Sequence, residues 1–134
     1  MKIGYLDAIV SASVFLVEDS HPIRQRLEQL LGAVPGVRMV GYADRADEAL
    51  ERIVRLKPDA VVLDLTLAHG SGLDVLRALS VQAPDIAVFV LTNIASEQYR
   101  RLCVALGAKG FFDKTTEFEK VRDAIAARAV QCVH

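Results

Sequence analysis

The chain has 134 residues, 52 % of them apolar and 25 % charged, with a formal net charge of -1. That length suits one domain able to bury most of its apolar surface, and the near-neutral balance excludes both a disordered chain and a general polyanion-binding surface, so no direct nucleic-acid contact is implied. Its two cysteines, Cys103 and Cys132, form no CxxC-like pair, which excludes a metal cluster or a disulfide framework.

Residues 1–12 carry no strong period and read as a loosely ordered leader ahead of a single domain over 13–131. The start lacks the basic, apolar and cleavage-site succession of a secretory signal. Apolar stretches are interrupted within about nine residues, well short of the roughly 20 that cross a bilayer, so neither a membrane span nor a membrane partner is expected. A cytoplasmic location follows as the expectation.

Val14-Phe15-Leu16-Val17 is the first buried strand, ending in Glu18-Asp19. Ser20 before Pro22 signals a helix start, and Ile23, Leu27, Leu30 and Leu31 give it one apolar stripe, with Arg24 and Arg26 falling elsewhere. Val37 to Ala43 alternates and suits an edge strand. Asp44 is placed to cap a helix that turns Ala46, Ala49, Leu50 and Ile53 inward before Lys57-Pro58-Asp59 ends it.

Ala60-Val61-Val62-Leu63-Asp64-Leu65 is an unalternating run with one carboxylate near its end, as expected of a strand covered on both faces. A loop follows to Gly72, and Ser71-x-x-Asp74 resembles a capping box before Leu73, Leu76 and Leu79. Ile86 to Leu91 is another buried run, ended by Thr92. The next helix, from about Ser96, turns Tyr99, Leu102, Cys103 and Leu106 to one face, which leaves Arg100 and Arg101 on the solvated one. Gly110-Phe111-Phe112-Asp113-Lys114 is the last strand. Thr116-x-x-Glu119 reads as a capping box for a final helix through Phe118, Val121, Ile125 and Ala129.

Strands alternating with helices at intervals of roughly 22 to 26 residues argue an α/β fold, a doubly wound five-stranded parallel sheet with helices on both faces. In such a sheet every strand end meets one rim. That rim gathers Glu18, Asp19, Asp64, Thr92 and Lys114. Carboxylates within about 4 Å of one another repel by roughly 1 kcal/mol in water and about 4 at an effective dielectric of 20, and one lysine cannot balance three acids. The residual charge suits a hard divalent cation such as Mg²⁺.

This constellation resembles the receiver domain of two-component response regulators, over about residues 13 to 130. It is carried, in order, by Glu18-Asp19 after the first strand, Asp64 closing the third, Gly70-Ser71-Gly72 before a helix, Thr92 ending the fourth and Lys114 ending the fifth. The resemblance implies the flavodoxin/CheY-like strand order 2-1-3-4-5. It implies Asp64 as phosphoacceptor from a phosphohistidine on a sensor histidine kinase or phosphotransfer protein. Glu18, Asp19, Asp64 and the Thr66 main-chain carbonyl would hold Mg²⁺, and Thr92 and Lys114 would bind the phosphoryl oxygens. Phe111 stands at the aromatic switch position, where it would turn inward on phosphorylation. The output is a downstream protein or self-dimer through the fourth helix, last strand and final helix. Such a protein is a signalling module rather than an enzyme. Phe111 lacks the hydroxyl of the more usual tyrosine, which would narrow the gap between states by about 1 kcal/mol.

Two positions depart from the family pattern: Ala68 and Thr115 stand where proline is usual. The Lys114-Thr115 peptide should therefore be trans. Thr66 and Ile94 occupy positions that tune phosphate lifetime in the family. His69 reads as a solvated loop histidine. The competing readings are a constitutive pseudo-receiver, the receiver fragment of a DNA-binding transcription regulator as against a stand-alone regulator, and an aspartate-nucleophile phosphatase or flavin carrier. The intact acids, Thr92 and Lys114 oppose the first. A phosphatase would need its nucleophile in a DxD after the first strand, and a flavin a Gly/Ser/Thr-rich loop there; Glu18-Asp19-Ser20 provides neither.

Overall fold

The apolar runs become the strands of one parallel sheet because helices cover both of its faces, which removes any pressure to alternate. The computed structural model describes residues 11–131; most of the predicted leader lies outside them. The strands are β1 (Ala12–Val17), β2 (Val37–Ala43), β3 (Ala60–Leu63), β4 (Ala87–Thr92) and β5 (Gly110–Asp113). Their order is β2-β1-β3-β4-β5 with every pair parallel, the doubly wound order expected. All residues of β1, β3 and β4 are buried, whereas β2, the alternating segment, lies at the edge. Strand β1 begins two residues before the apolar run because Ser13 is tied through its N–H and hydroxyl to Asp59 Oδ2, at 2.7 and 3.1 Å.

The helices are α1 (His21–Gly32), α2 (Ala46–Leu56), α3 (Gly72–Gln82), α4 (Glu97–Ala105) and α5 (Lys120–Gln131). Two apolar layers result. One packs Ala49 and Ile53 of α2, Leu76 and Leu79 of α3 and Cys103 of α4 on Phe15, Val61, Leu63, Val90 and Phe111. The other packs Leu27 and Leu31 of α1 with Phe118, Val121 and Ile125 on Val14, Leu16, Val62 and Leu91. Phe112 is half-buried against the second layer, opposite Phe111, as the strand period requires. Among the described residues no helix is long and apolar enough to cross a membrane.

Ser20 caps α1 as read from the sequence, accepting from Ile23 N–H at 3.4 Å, and Ser96, where α4 was expected to begin, caps that helix by accepting from Tyr99 N–H at 3.2 Å. Ser71 accepts from Leu73 N–H at 3.1 Å. Two cap assignments are corrected. The N-cap of α2 is Arg45, not Asp44, and its side chain makes no cap bond; instead the His69 carbonyl accepts from Ala46 N–H at 3.1 Å. Helix α5 starts at Lys120, after Thr116-x-x-Glu119, and the turn before it is held by Asp113 and Glu117: Thr115 N–H donates to Asp113 Oδ1 at 2.8 Å and Asp113 N–H to Glu117 Oε1 at 3.0 Å. The described residues contain no cis peptide, so Lys114-Thr115 is trans as expected.

Candidate functional site

Main-chain ladders that run one residue past the strands fix the rim. Val17 pairs with Leu63, and beyond that pair Asp64 N–H still donates to Val17 O at 3.0 Å while Glu18 N–H reaches Ala43 O at 3.1 Å. Thr92 pairs with Asp113, and Lys114 N–H donates to Thr92 O at 2.9 Å. Glu18, Asp64, Thr92 and Lys114 therefore leave neighbouring strands at one level, with Asp19 next in the chain.

Lys114 joins two of the acids. Its Nζ lies 2.7 Å from Glu18 Oε1 and 2.9 Å from Asp64 Oδ2, with all three side chains under 10 % exposed. Burial pushes the Glu18 carboxyl above the usual carboxylate range, although the Lys114 hydrogen bond and the Ser20 N–H oppose it. For Lys114, burial pulls downward, but the hydrogen bonds it donates to Glu18 and Asp64 outweigh it and the ammonium pKa is raised. The lysine is thus charged at neutral pH and committed to both partners.

Glu18, Asp19 and Asp64 each place a carboxylate oxygen within 4.8 Å of the others. Three hard oxygen donors in one cluster fit the coordination of Mg²⁺. Main-chain donors orient them: Ser20 N–H to Glu18 Oε2 at 3.0 Å, Thr66 N–H to Asp64 Oδ1 at 3.2 Å, and Ala68 N–H to Asp19 Oδ2 at 2.6 Å. The last bond requires an N–H at residue 68, which a proline would not supply. The loop folds back tightly after Asp64: Gly72 N–H donates to Leu65 O at 3.0 Å, and a Cβ on Gly72 would overlap the Asp64 carbonyl oxygen. Only glycine fits there.

Thr92 is fully buried, and its hydroxyl accepts from Ile94 N–H at 3.2 Å. Phe111 is 4 % exposed. Its ring packs in the layer that also holds Val90 and Cys103.

His69 is exposed, as read; its contribution is the main-chain carbonyl that caps α2. Two arginines read as lying off the apolar stripes make main-chain contacts; Arg24 is buried, whereas Arg100 keeps a 42 % exposed side chain. Arg24 donates from Nη1 to the Glu18 carbonyl at 2.8 Å and stacks 4.2 Å from the centre of the Tyr42 ring. Arg100 donates from Nη1 to the Phe111 carbonyl at 3.1 Å. Their signal in the sequence is weak, since both partners are main-chain oxygens, which no side-chain pattern marks.

The family model described as "Response regulator receiver domain" matches residues 14–126. The DNA-binding transcriptional activator DevR/DosR of Mycobacterium tuberculosis is 35 % identical over 120 residues, which cover 90 % of this chain and 53 % of that protein. Response regulator GacA of Pseudomonas aeruginosa is 30 % identical over 112 residues, covering 84 % and 52 %. The chain thus spans about half the length of these curated relatives. Among solved structures, a two-component response regulator of the LuxR family from Aurantimonas superposes with a TM-score of 0.83 at 26 % identity, over 90 % of this chain and 86 % of that one.

Proposed function

The chain belongs to the response regulator receiver domain family, and from that premise we propose that Asp64 is its phosphoacceptor, assisted by Glu18, Asp19, Thr92 and Lys114. The observation that carries the assignment is the position of Asp64, held by Lys114 at 2.9 Å and within reach of both other acids at the carboxyl rim. In the step proposed, one Asp64 oxygen attacks the phosphorus of a phosphohistidine. A P–O bond forms as the P–N bond breaks, and the electron pair leaves with the imidazole nitrogen, which takes up a proton. Lys114 holds the attacking carboxylate in place and then pairs with a phosphoryl oxygen as the carboxylate charge is consumed in the acyl phosphate. Thr92 donates its hydroxyl to a second oxygen.

Glu18 and Asp19, with Asp64 and the Thr66 main-chain carbonyl, would hold Mg²⁺, which when bound supplies neutralisation of the attacking and phosphoryl oxygens. The phosphodonor is a sensor histidine kinase or phosphotransfer protein, and the output is read on the face of α4, β5 and α5 by a downstream protein or a second copy. Because the chain covers half of DevR/DosR, whose name describes a DNA-binding activator, the receiver portion of a transcription regulator is the second reading of its context. A cytoplasmic setting goes with either.

The test is labelling by a small phosphodonor in Mg²⁺ and in EDTA. Wild type and His69→Ala are expected to label in Mg²⁺ only, and Asp64→Ala not at all. Label retained by Asp64→Ala would refute the assignment, and an unlabelled wild type would favour a constitutive binding module.

A further inference from the structure

Arg24 is a buried cation next to an acidic rim, yet what it holds there is main chain. Its Nη1 donates to the Glu18 carbonyl at 2.8 Å, Nη2 lies 3.4 Å from His21 Nδ1, and the guanidinium carbon stands 4.2 Å from the centre of the Tyr42 ring. The strand ladder explains the first contact. Glu18 N–H still reaches Ala43 O at 3.1 Å, but β2 ends at Ala43, and the Glu18 carbonyl is claimed by Arg24 instead. A buried carbonyl without a donor would be costly. Tyr42, near the end of the edge strand, supplies a flat face for the guanidinium. Its own carbonyl accepts from Arg52 Nη1 of α2, so the strand that carries the ring is held from the opposite layer.

These contacts bracket Asp19. Arg24 N–H donates to Ser20 O at 2.9 Å in the first turn of α1, while the Arg24 side chain returns to Glu18 O. One residue thus fixes the main chain immediately before and immediately after Asp19. Asp19 depends on this more than the other two acids do. The Glu18 and Asp64 side chains are buried against Lys114, whereas Asp19 is half-buried and tied through its side chain to the Ala68 N–H of a loop. The placement of Asp19 relative to Glu18 follows from the peptide between them, and Arg24 holds the oxygen of that peptide.

Rigidity at this point bears on which cation the cluster takes. Mg²⁺ demands near-ideal octahedral geometry at about 2.0–2.1 Å, whereas Ca²⁺ accepts oxygens at about 2.3–2.6 Å in flexible arrangements. We propose that Arg24, held flat by Tyr42, is the positioning residue that fixes the Glu18–Asp19 peptide and so gives the acidic cluster its preference for Mg²⁺ over Ca²⁺. The inference rests on Glu18, Asp19 and Asp64 as metal ligands and identifies what sets their selectivity. Arg24 acts through geometry and against its own charge, since a guanidinium near the cluster repels both divalent cations alike.

The test is a titration of the isotope-labelled chain with Mg²⁺ and, separately, with Ca²⁺, following the Asp64, Leu65 and Gly72 amides by NMR with no phosphodonor present. In Arg24→Met the Mg²⁺ dissociation constant should rise by about 10-fold or more, as for loss of a group that orients a metal ligand. The Ca²⁺ constant should rise by less, so the preference for Mg²⁺ shrinks. Tyr42→Leu, which leaves the guanidinium unstacked, should shift the ratio of the two constants in the same direction, and it carries the test if Arg24→Met does not fold. Arg26→Met removes a cation of the same helix that lies instead over Phe118, 3.8 Å from the ring centre, and should change neither constant. Constants unchanged or weakened equally for both ions would make Arg24 merely structural, and tighter binding of both would make its charge the determinant. A matching loss in Arg26→Met would leave no role for the Glu18 carbonyl. Each of these results overturns the inference while leaving the metal site assigned. Wild-type amides that respond to neither ion would overturn both.

Discussion

Replacing Lys114 by methionine keeps an unbranched side chain, one atom shorter, and removes the cation that Glu18 and Asp64 share. The ammonium lies 2.7 and 2.9 Å from them, and the three side chains are 9 %, 4 % and 7 % exposed in the order lysine, glutamate, aspartate. Taking one partner from a buried ion pair costs about 3–5 kcal/mol, because the charge left behind has lost its water and its counter-ion. Here two carboxylates are left, and protonation of Glu18 is their escape. Burial already raises that carboxyl in spite of Lys114, and without the lysine it rises further. Between pH 4.5 and the raised value the folded variant binds a proton that the unfolded chain does not, so its stability falls as pH increases through that window. Lys114 in wild type is raised from 10.5, so its own contribution is complete throughout this range. The deficit of the variant should therefore be smallest near pH 5 and reach about 3 kcal/mol by pH 8. Urea unfolding followed by far-UV circular dichroism in EDTA measures it, since the chain has no tryptophan. Added Mg²⁺ at 100 times its dissociation constant should return about 2.7 kcal/mol. A deficit equal at both pH values, or below about 1 kcal/mol at pH 8 as for an exposed pair, would refute the reasoning.

Gly72→Ala should lower stability by about 2–3 kcal/mol, since its Cβ meets main-chain atoms of Asp64 and Leu65 that have no flexible end to move aside; a melting temperature unchanged from wild type would contradict the close approach. Ala68→Pro removes the donor to Asp19 Oδ2. Loss of that bond and the proline's entropic gain oppose each other, so stability should change by less than about 1 kcal/mol. Its effect should appear at Ala46, whose amide is capped by the neighbouring His69 carbonyl: hydrogen exchange there should accelerate, and unchanged protection would show that Asp19 does not anchor the loop.

The sequence carried the sheet and the rim because both depend on features local to each strand. An unbroken apolar run such as Ala60 to Leu63 has to be covered on both faces, and once all strands are parallel, the residues that end them must meet. The Ser20 and Ser71 caps were legible for the same reason, since each acts within three residues of itself. What escaped was held by main-chain groups, which no side-chain pattern marks. Nothing about His69 announces that its carbonyl will cap α2, so Asp44 was the natural candidate. Glu117 is drawn to Asp113 N–H rather than leaving the start of α5 to Thr116 and Glu119. Arg24 and Arg100 fall on the polar arcs of their helices, where periodicity assigns them to water; the Glu18 and Phe111 carbonyls claim them instead. A helical pattern reports which way a side chain leaves the helix, and a long side chain can turn back from there.

At the rim, hydrogen bonding and charge neutralisation separate. Every acid there has a donor: Ser20 N–H and Lys114 for Glu18, Ala68 N–H for Asp19, Thr66 N–H and Lys114 for Asp64. The amides orient carboxylate oxygens but carry no net charge, and Arg24 is directed to a carbonyl rather than to a carboxylate. Three carboxylates against one ammonium leave two formal negative charges among largely buried groups. A phosphoryl group adds about 1.5 to 2 more, while acyl phosphate formation cancels only the one on Asp64. Lys114 passes from Asp64 to a phosphoryl oxygen without changing that total. The chain's own residues can thus place the phosphoryl group but cannot balance it, and phosphorylation in EDTA should fall to background even though every side chain of the site is present and oriented.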